Sequence, residues 1–96
     1  MFQPDIPPHV SDTIRHFPPD LKCSIKAAVR ALCVNPNEGV PLVKELKGLW
    51  KYRVRRFRIV YAIDRRRKVI RIMAIGHRRS VYEDVKELMK EKKFSE

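Results

Sequence analysis

The apolar residues of the chain recur with two different periods, one typical of helices and one typical of strands. In residues 21–34 they return every three or four positions, which predicts a helix with a single buried stripe. A shorter helix is predicted over residues 9–17, because Pro18 and Pro19 break the chain between the two segments. Residues 35–39, Asn-Pro-Asn-Glu-Gly, then end the second helix and open a loop.

After this loop the period changes to two. Trp50, Tyr52 and Val54 alternate with basic residues, and an inward apolar set also occupies every second position of residues 57–63 and 70–74. This predicts three consecutive antiparallel strands with one face packed on the helices. The prolines of residues 1–8 restrict any strand in that segment to an edge of the sheet. A Ser-x-x-Glu sequence at Ser80 predicts the start of a last helix.

These elements predict one α+β domain over residues 1–96. Two N-terminal helices pack on an antiparallel β-meander of three clear strands. A short N-terminal edge strand and a C-terminal helix complete the expected fold.

The alternation also predicts which residues lie opposite one another. If Arg55 and Arg56 form the first turn and residues 65–68 the second, every inward pair is apolar or contains glycine. The pairs expected in the second hairpin are Ile63 with Ile70, Tyr61 with Ile72, Ile59 with Ala74, Phe57 with Gly76 and, on the outer face, Arg58 with Ile75. Because two arginines suit a two-residue turn poorly, a longer and irregular first loop is expected.

On the outer face the same register places Arg53 directly opposite Arg58, with Lys51 one pair further along. Like charges in directly opposite positions of a sheet are destabilising. A single surface arginine is simply solvated, but a cluster in register beside residues 76–79, Gly-His-Arg-Arg, favours an anion-binding site.

The basic residues are concentrated in the predicted sheet. Residues 51–79 contain twelve of the 22 Lys and Arg residues and one acid, Asp64. The charges of residues 1–50 and 80–96 cancel one another, so this segment accounts for the formal charge of +11 of the whole chain. With a sequence pI near 10.2, this distribution favours nucleic acid or an acidic protein as partner. Residues 65–68, Arg-Arg-Arg-Lys, are interpreted as a solvated basic tip that is also well placed to contact a nucleic-acid backbone.

The sequence also argues against several classes of protein. No apolar run reaches the length of a membrane span and residues 1–20 lack the layout of a signal peptide, so a cytoplasmic protein without membrane association is expected. Cys23 and Cys33 lie on one predicted helix, roughly 15 Å apart, which is too far for a disulfide. No Cys or His spacing suits a metal, so neither a metal nor another cofactor is predicted.

The remaining candidate site is a group that two hairpins and a helix start bring together: Lys51, Arg53, Arg58, His77, Arg78, Arg79 and Tyr82. Guanidinium groups can neutralise the charge that grows on the non-bridging oxygens of a phosphodiester. A tyrosine can stack on a base or exchange a proton, and RNA supplies its own nucleophile, the 2′-OH. His77 can equally be a turn residue, and Tyr82 can equally be a packing residue.

Three segments carry a family likeness: Leu46–Val54 (L-x-G-L-W-K-Y-R-V), Phe57–Tyr61 (F-R-I-V-Y) and Ile75–Tyr82 (I-G-H-R-R-S-V-Y). They resemble the bacterial and archaeal RelE/ParE superfamily of toxins from toxin–antitoxin systems, in particular its RelE-like branch. The resemblance covers roughly residues 19–90, with the helix pair before the meander as in the family. The proline-rich N-terminal segment departs from the family's regular first strand.

RelE-like toxins are ribosome-dependent endoribonucleases that cut mRNA in the decoding site. The resemblance therefore implies a metal-independent endoribonuclease in which Arg58 stabilises the phosphate. It implies that Arg78 is a transition-state stabiliser or proton donor, and that Tyr82 stacks on a base or acts in acid–base catalysis. Because the spacing between Gly76 and Tyr82 is shorter than in some active members, either Arg78 or Arg79 can be the functional match.

The resemblance also places the family's basic pair at Lys51 and Arg53, and the grouping by register adds His77 and Arg79 as RNA or phosphate contacts. The implied partners are mRNA, the ribosome and a cognate antitoxin whose acidic segment covers the same basic face. Three alternatives stay open. ParE-like members share the fold, poison DNA gyrase and tend to lack the full arginine–tyrosine set; the chain can also be a basic nucleic-acid-binding module without catalysis, or an inactive homologue.

Overall fold

The protein consists of one sheet with helices on both faces, and its computed structural model describes residues 1–77 and 79–94. The helices and strands in chain order are β1 (Gln3–Asp5), α1 (Pro8–Arg15), α2 (Pro19–Val34), β2 (Val40–Pro41), β3 (Leu49–Val54), β4 (Phe57–Asp64), β5 (Val69–His77) and α3 (Ser80–Phe94). The strands are ordered β1-β5-β4-β3-β2, with β1 parallel to β5 and the other neighbours antiparallel. The predicted α+β fold is confirmed, including the short N-terminal strand at a sheet edge.

Both N-terminal helices begin at a proline. Pro8 opens α1 and Pro19 opens α2, positions where the missing N–H removes no helical hydrogen bond. The predicted apolar stripe of α2 is buried: Leu21, Ile25, Ala28, Val29, Leu32 and Cys33. Cys23 is exposed, whereas burial raises the pKa of the Cys33 thiol. The spacing of the apolar residues therefore predicted correctly which side of α2 packs into the core.

Apolar residues cover both faces of the sheet. The first face packs on α1 and α2, and its fully buried members from β4 and β5 are Ile59, Tyr61, Ile70 and Ile72. The second face packs on α3, where Val60 and Ala74 of the sheet form one buried cluster with Val81 and Val85 of the helix. The expectation of a single packed face is wrong, because β4 and β5 carry apolar residues at inward and outward positions alike.

A β-bulge at Met73 shifts part of the second hairpin by one residue. Val60 pairs with Ala74 and the next residue, Tyr61, pairs with Ile72, so Met73 has no partner on β4. Between the bulge and the turn, the predicted register is confirmed. Beyond the bulge, the observed pairs are Ile59 with Ile75, Arg58 with Gly76 and Phe57 with His77. The predicted pairs Ile59 with Ala74, Arg58 with Ile75 and Phe57 with Gly76 are wrong, because one extra residue moves each later side chain of β5 to the other face.

The first hairpin turns in two residues, so the expected longer loop is also wrong. Arg55 occupies the left-handed region with φ 56°, which is unusual for a residue other than glycine. Its carbonyl oxygen accepts from Nε of Arg53 at 3.1 Å, and its guanidinium donates to the Asp20 carboxylate at 3.2 Å. These contacts with the turn and with α2 offset the strain of a non-glycine residue in this conformation, which explains why the short turn forms.

The ion pair of Asp20 with Arg55 makes stability depend on acid pH. The Arg55 guanidinium lowers the pKa of Asp20 from its ordinary value of 3.8. Because the folded-state pKa is lowered, the stabilisation is present above pH 3.8 and is lost as the pH falls through the folded pKa. We expect the melting temperature of Asp20→Asn to be slightly lower than that of the parent at neutral pH and equal to it in strong acid. Thermal unfolding followed by circular dichroism measures the two melting temperatures. A difference that persists in strong acid would contradict the ion pair as its cause.

The buried Tyr61 ties the loop after α2 to the sheet. Its hydroxyl donates to the Pro36 carbonyl at 2.7 Å and accepts from the Gly39 N–H at 3.2 Å. Burial raises the pKa of Tyr61 to about 12, so the hydroxyl remains a donor. A Cβ on Gly39 would collide with the Lys51 carbonyl oxygen and the Tyr61 hydroxyl. This close approach positions β2 beside β3 and thereby fixes where the segment after β2 begins.

Candidate nucleic-acid interface

Two arginines face each other on the sheet surface that α3 partly covers. Arg53 on β3 lies directly opposite Arg58 on β4, as the sequence predicted. Such cross-strand neighbours have Cβ atoms about 4.5–5.5 Å apart. Lys51 lies on the same face, two residues before Arg53 and opposite the buried Val60. Three cations therefore follow one another along the second face of the first hairpin.

Within the described residues, no acid neutralises this arginine pair. The ion pairs found there involve Arg15, Arg55, Arg71 and Lys86. Arg53 donates to the Arg55 carbonyl, and the half-buried Arg58 donates to the Phe57 carbonyl at 3.1 Å. Since a guanidinium has five N–H donors, most donors of both groups remain for a ligand. An anion would relieve the repulsion between the two.

Gly76 on β5 packs directly against the start of α3. It lies opposite Arg58, and a Cβ built on it would stand 3.4 Å from Cβ of Val81 and 3.8 Å from Oγ of Ser80. The first turn of α3 therefore sits over Gly76, on the same face as the arginine pair. The unpaired N–H groups of a helix N-terminus add positive potential there.

Tyr82 lies in the first turn of α3 and is half-buried against the cluster on this second face. Together with Lys51 it lines a cleft of about 370 Å³. Tyr82 is therefore on the same side of the molecule as Lys51 of β3. The structure brings Lys51, Arg53, Arg58 and Tyr82 onto one face.

The other candidate residues have different positions. His77 lies on the first face, where its ring centroid is 4.5 Å from that of Phe57. The bulge at Met73 is the reason, because a regular β5 would have turned His77 toward α3. Arg79 is exposed directly before α3. Arg78 lies outside the described residues.

The Tyr82 cleft is also lined by Lys86 of α3 and by residues 42–46, a segment that was not predicted as part of the site. This segment has neither a helical nor a strand period, so the pattern of hydrophobic residues does not single it out. In the described part of the chain, no group of three or more His, Cys, Asp or Glu residues is placed to hold a metal ion. No helix among those residues is long and apolar enough to cross a membrane.

The structure defines a small α+β domain with a basic sheet face, and comparison with known sequences identifies its family. Residues 10–82 match the family described as "ParE toxin of type II toxin-antitoxin system, parDE". The protein belongs to this family and is a toxin of the RelE/ParE superfamily, as the resemblance of its motifs implied. A search of curated proteins finds no match.

Solved toxin structures share the fold at low sequence identity. The toxin–antitoxin complex RelBE2 from Mycobacterium tuberculosis superposes with a TM-score of 0.72 at 24% identity, over 80% of this chain and 98% of that one. A mutant of the E. coli toxin RelE in the free state gives a TM-score of 0.74 at 14% identity, over 90% and 95%. The YoeB/ParE toxin from Agrobacterium tumefaciens gives 0.70 at 15%, over 80% and 99%. At these identities the likeness concerns the fold alone.

Proposed function

We propose that this toxin is an endoribonuclease that cleaves mRNA on the ribosome, through attack of the RNA 2′-OH on the neighbouring phosphodiester. The observation that carries the proposal is the pair of Arg53 and Arg58, which no acid among the described residues neutralises. Arg58 lies opposite Gly76, and the pair is on the same face of the sheet as Tyr82. Like charges kept opposite each other weaken a sheet. A polyanionic substrate gives this pair a role that compensates for the lost stability.

In the proposed reaction the 2′-oxygen forms a bond to phosphorus and loses its proton, while the bond from phosphorus to the 5′-oxygen breaks. The 5′-oxygen takes up a proton, and the products are a 2′,3′-cyclic phosphate and a 5′-hydroxyl. Negative charge grows on the non-bridging oxygens before that bond breaks. Arg58 and Arg53 would stabilise this charge, which is the electrostatic contribution that is usually largest in catalysis.

Lys51 and Tyr82 would bind the nucleotide beside this phosphate. Lys51 supplies positive charge at the cleft, and the Tyr82 ring offers a stacking surface for a base. The chain has a pI near 10.2, so the rest of the sheet surface also favours an RNA-rich target such as the ribosome.

We extend the proposal to an antitoxin partner. The related toxins of Mycobacterium tuberculosis, E. coli and Staphylococcus aureus are seen in complex with antitoxins. A segment rich in acidic residues would complement a chain of formal charge +11 and would compete with RNA for the same face. We expect the complex to lose the RNase activity of the free toxin.

A second candidate function is inhibition of DNA gyrase, the activity of ParE-like members. The specific observation in its favour is the family match, whose description is that of a ParE toxin. Gyrase inhibition is a protein-binding function, and it requires no arginine pair matched to a phosphodiester. The two functions leave different damage, because one breaks mRNA and the other breaks DNA.

Expression in cells of the parent, Tyr82→Phe and Tyr82→Ala tests the proposal. We expect broken mRNA with intact chromosomal DNA for the parent and for Tyr82→Phe, which keeps the ring. Stacking on a base is worth about 1–3 kcal/mol, so Tyr82→Ala should cleave about 5- to 150-fold less. Circular dichroism of the purified variants controls for folding. Intact mRNA with broken DNA for the parent would establish the gyrase alternative instead.

A further inference from the structure

The bulge in β5 determines which residue lies opposite Arg58. With the bulge this residue is Gly76, and a Cβ added to it would stand 3.4 Å from Cβ of Val81 on α3. In a regular strand, Ile75 would take this position. Its branched side chain would not fit against α3 at this distance, so the helix and Tyr82 would have to move away from the sheet. The bulged register therefore keeps Tyr82 close to the face that carries Arg58.

The hydrophobic pattern does not select the bulged register. Residues 72–75 of β5 are all apolar, so a shift by one residue exchanges one apolar side chain for another on each face. A register that the side-chain pattern specifies weakly can slip. A more specific contact must therefore hold the bulge in place.

The ring of His9, in the first turn of α1, contacts the bulge directly. Pairing of β1 with β5 ends at Asp5, and the chain enters α1 through Pro7 and Pro8, which have no N–H to continue the ladder. His9 Nε2 lies 3.0 Å from the carbonyl oxygen of Met73, the residue without a partner on β4. Because a carbonyl can only accept, Nε2 is the donor. His9 therefore bonds to β5 just beyond the point where the pairing with β1 ends.

A regular strand would not offer this carbonyl to His9. The Gln3 N–H donates to the Lys68 carbonyl at 2.9 Å, so the carbonyl groups of residues 68, 70 and 72 in a regular β5 would point toward β1. The carbonyl of residue 73 would then point toward β4. The hydrogen bond with His9 is available in the bulged register and not in the regular one, so its free energy favours the bulge.

We propose that His9 is a positioning residue of this toxin: its hydrogen bond holds β5 in the bulged register, and this register keeps Tyr82 on the face of Arg58. The inference rests on the proposed ribonuclease function, because it concerns the placement of groups that would contact the RNA. His9 does not touch the substrate in this proposal. It acts through the backbone of Met73 and the packing of α3 on Gly76.

The contact lies at an open edge of the sheet. There His9 and Thr13 of α1 and Asp84 and Leu88 of α3 line a cleft of about 290 Å³. Water can reach the Met73 carbonyl when the ring is removed, so a substitution at His9 leaves no buried polar group unpaired. We therefore expect His9 variants to fold.

His9→Ala and His9→Gln separate the hydrogen bond from the other properties of the ring. Alanine removes the donor, whereas the side-chain amide of glutamine can donate from nearly the same place as Nε2. The matched control is His16→Ala. His16 is also an exposed histidine that bonds to a backbone carbonyl, that of Asp12 at 2.9 Å, but Asp12 lies four residues earlier in the same segment, so this bond holds no strand.

Amide hydrogen exchange and cleavage of translated mRNA measure the effect. We expect the amides of residues 74–76 to exchange about 2- to 10-fold faster in His9→Ala, the factor that corresponds to one typical hydrogen bond. Amides of β3 should exchange at the parental rate, because the change is a local opening rather than global unfolding. Cleavage of mRNA should fall by a similar factor. His9→Gln and His16→Ala should match the parent in both measurements.

Three results would overturn this role: parental exchange of residues 74–76 in His9→Ala, parental cleavage by His9→Ala, or a loss in His9→Gln or His16→Ala as large as that in His9→Ala. Failure of the ribonuclease proposal looks different. The parent would then cleave no translated mRNA, while exchange at residues 74–76 would still distinguish His9→Ala from His16→Ala.

Discussion

Replacing Arg58 by glutamine is expected to lower RNA cleavage about 100- to 1,000-fold, the loss typical when one donor to a developing anion is removed. The same change should leave the folded protein at least as stable as the parent. Arg58 lies directly opposite Arg53 with no acid between them in the described residues, and relief of such repulsion is worth roughly 0.2–1 kcal/mol. Cleavage assays with translating ribosomes and urea unfolding of the same preparations measure both quantities.

The control for this change is Arg30→Gln. Arg30 is an exposed arginine on α2, the helix that packs on the opposite face of the sheet. The substitution Arg30→Gln removes the same charge from the chain as Arg58→Gln, so it shows any effect of net charge alone on ribosome binding. We expect cleavage within about twofold of the parent. An Arg58→Gln variant that cleaves as well as Arg30→Gln does would remove Arg58 from the site.

Adding a single methyl group at Gly39 is expected to destabilise the protein by about 1–3 kcal/mol, the usual effect of overpacking a tight contact. The new Cβ would collide with the Lys51 carbonyl oxygen and the Tyr61 hydroxyl. Backbone or tyrosine must then move, which weakens the hydrogen bonds of Tyr61 with Gly39 and Pro36. The free energy of unfolding from urea denaturation measures the effect.

Gly76→Ala is the matched control for Gly39→Ala. Its new Cβ would meet Val81 at 3.4 Å, an ordinary van der Waals contact. We expect its stability to remain within about 0.5 kcal/mol of the parent. If both alanine variants lose the same stability, the close approach at Gly39 is not the cause. Tyr61→Phe gives a second check, because it leaves the Gly39 N–H and the Pro36 carbonyl without their partner at a cost of about 1–3 kcal/mol.

Much of the fold could be predicted from the spacing of hydrophobic residues within each helix and strand. The stripe of α2 and the alternation of β3 are visible in sequence because each element has a polar and an apolar side. The register of the first hairpin also follows, and with it the pairing of Arg53 with Arg58. These two residues of the candidate site were therefore accessible from the sequence.

The bulge in β5 could not be predicted from the sequence in the same way. Residues 72–75, Ile-Met-Ala-Ile, are apolar at every position, so a one-residue shift leaves the hydrophobic pattern unchanged. This shift moved His77 away from the predicted site and brought Gly76 opposite Arg58. The two-residue turn at Arg55 was hidden for a different reason: its contact with Asp20 joins residues that are distant in sequence.

The family match and the resemblance agree on a RelE/ParE toxin, and the open question is which molecule it damages. Arg53, Arg58 and Tyr82 lie on one face, and this placement is the physical basis for the answer proposed here. Sheet topology produces it, since the outer positions of the first hairpin and the first turn of α3 share that face. The proposed reaction therefore requires one phosphodiester to contact groups from β3, β4 and α3 together.

The most direct measurement uses an mRNA with a single 2′-deoxynucleotide at the mapped cleavage position, translated in the presence of the purified toxin. We expect cleavage at that position to disappear, while the unmodified mRNA gives fragments that end in a 2′,3′-cyclic phosphate and begin with a 5′-hydroxyl. Cleavage of the 2′-deoxy mRNA at an unchanged rate would contradict attack by the 2′-OH.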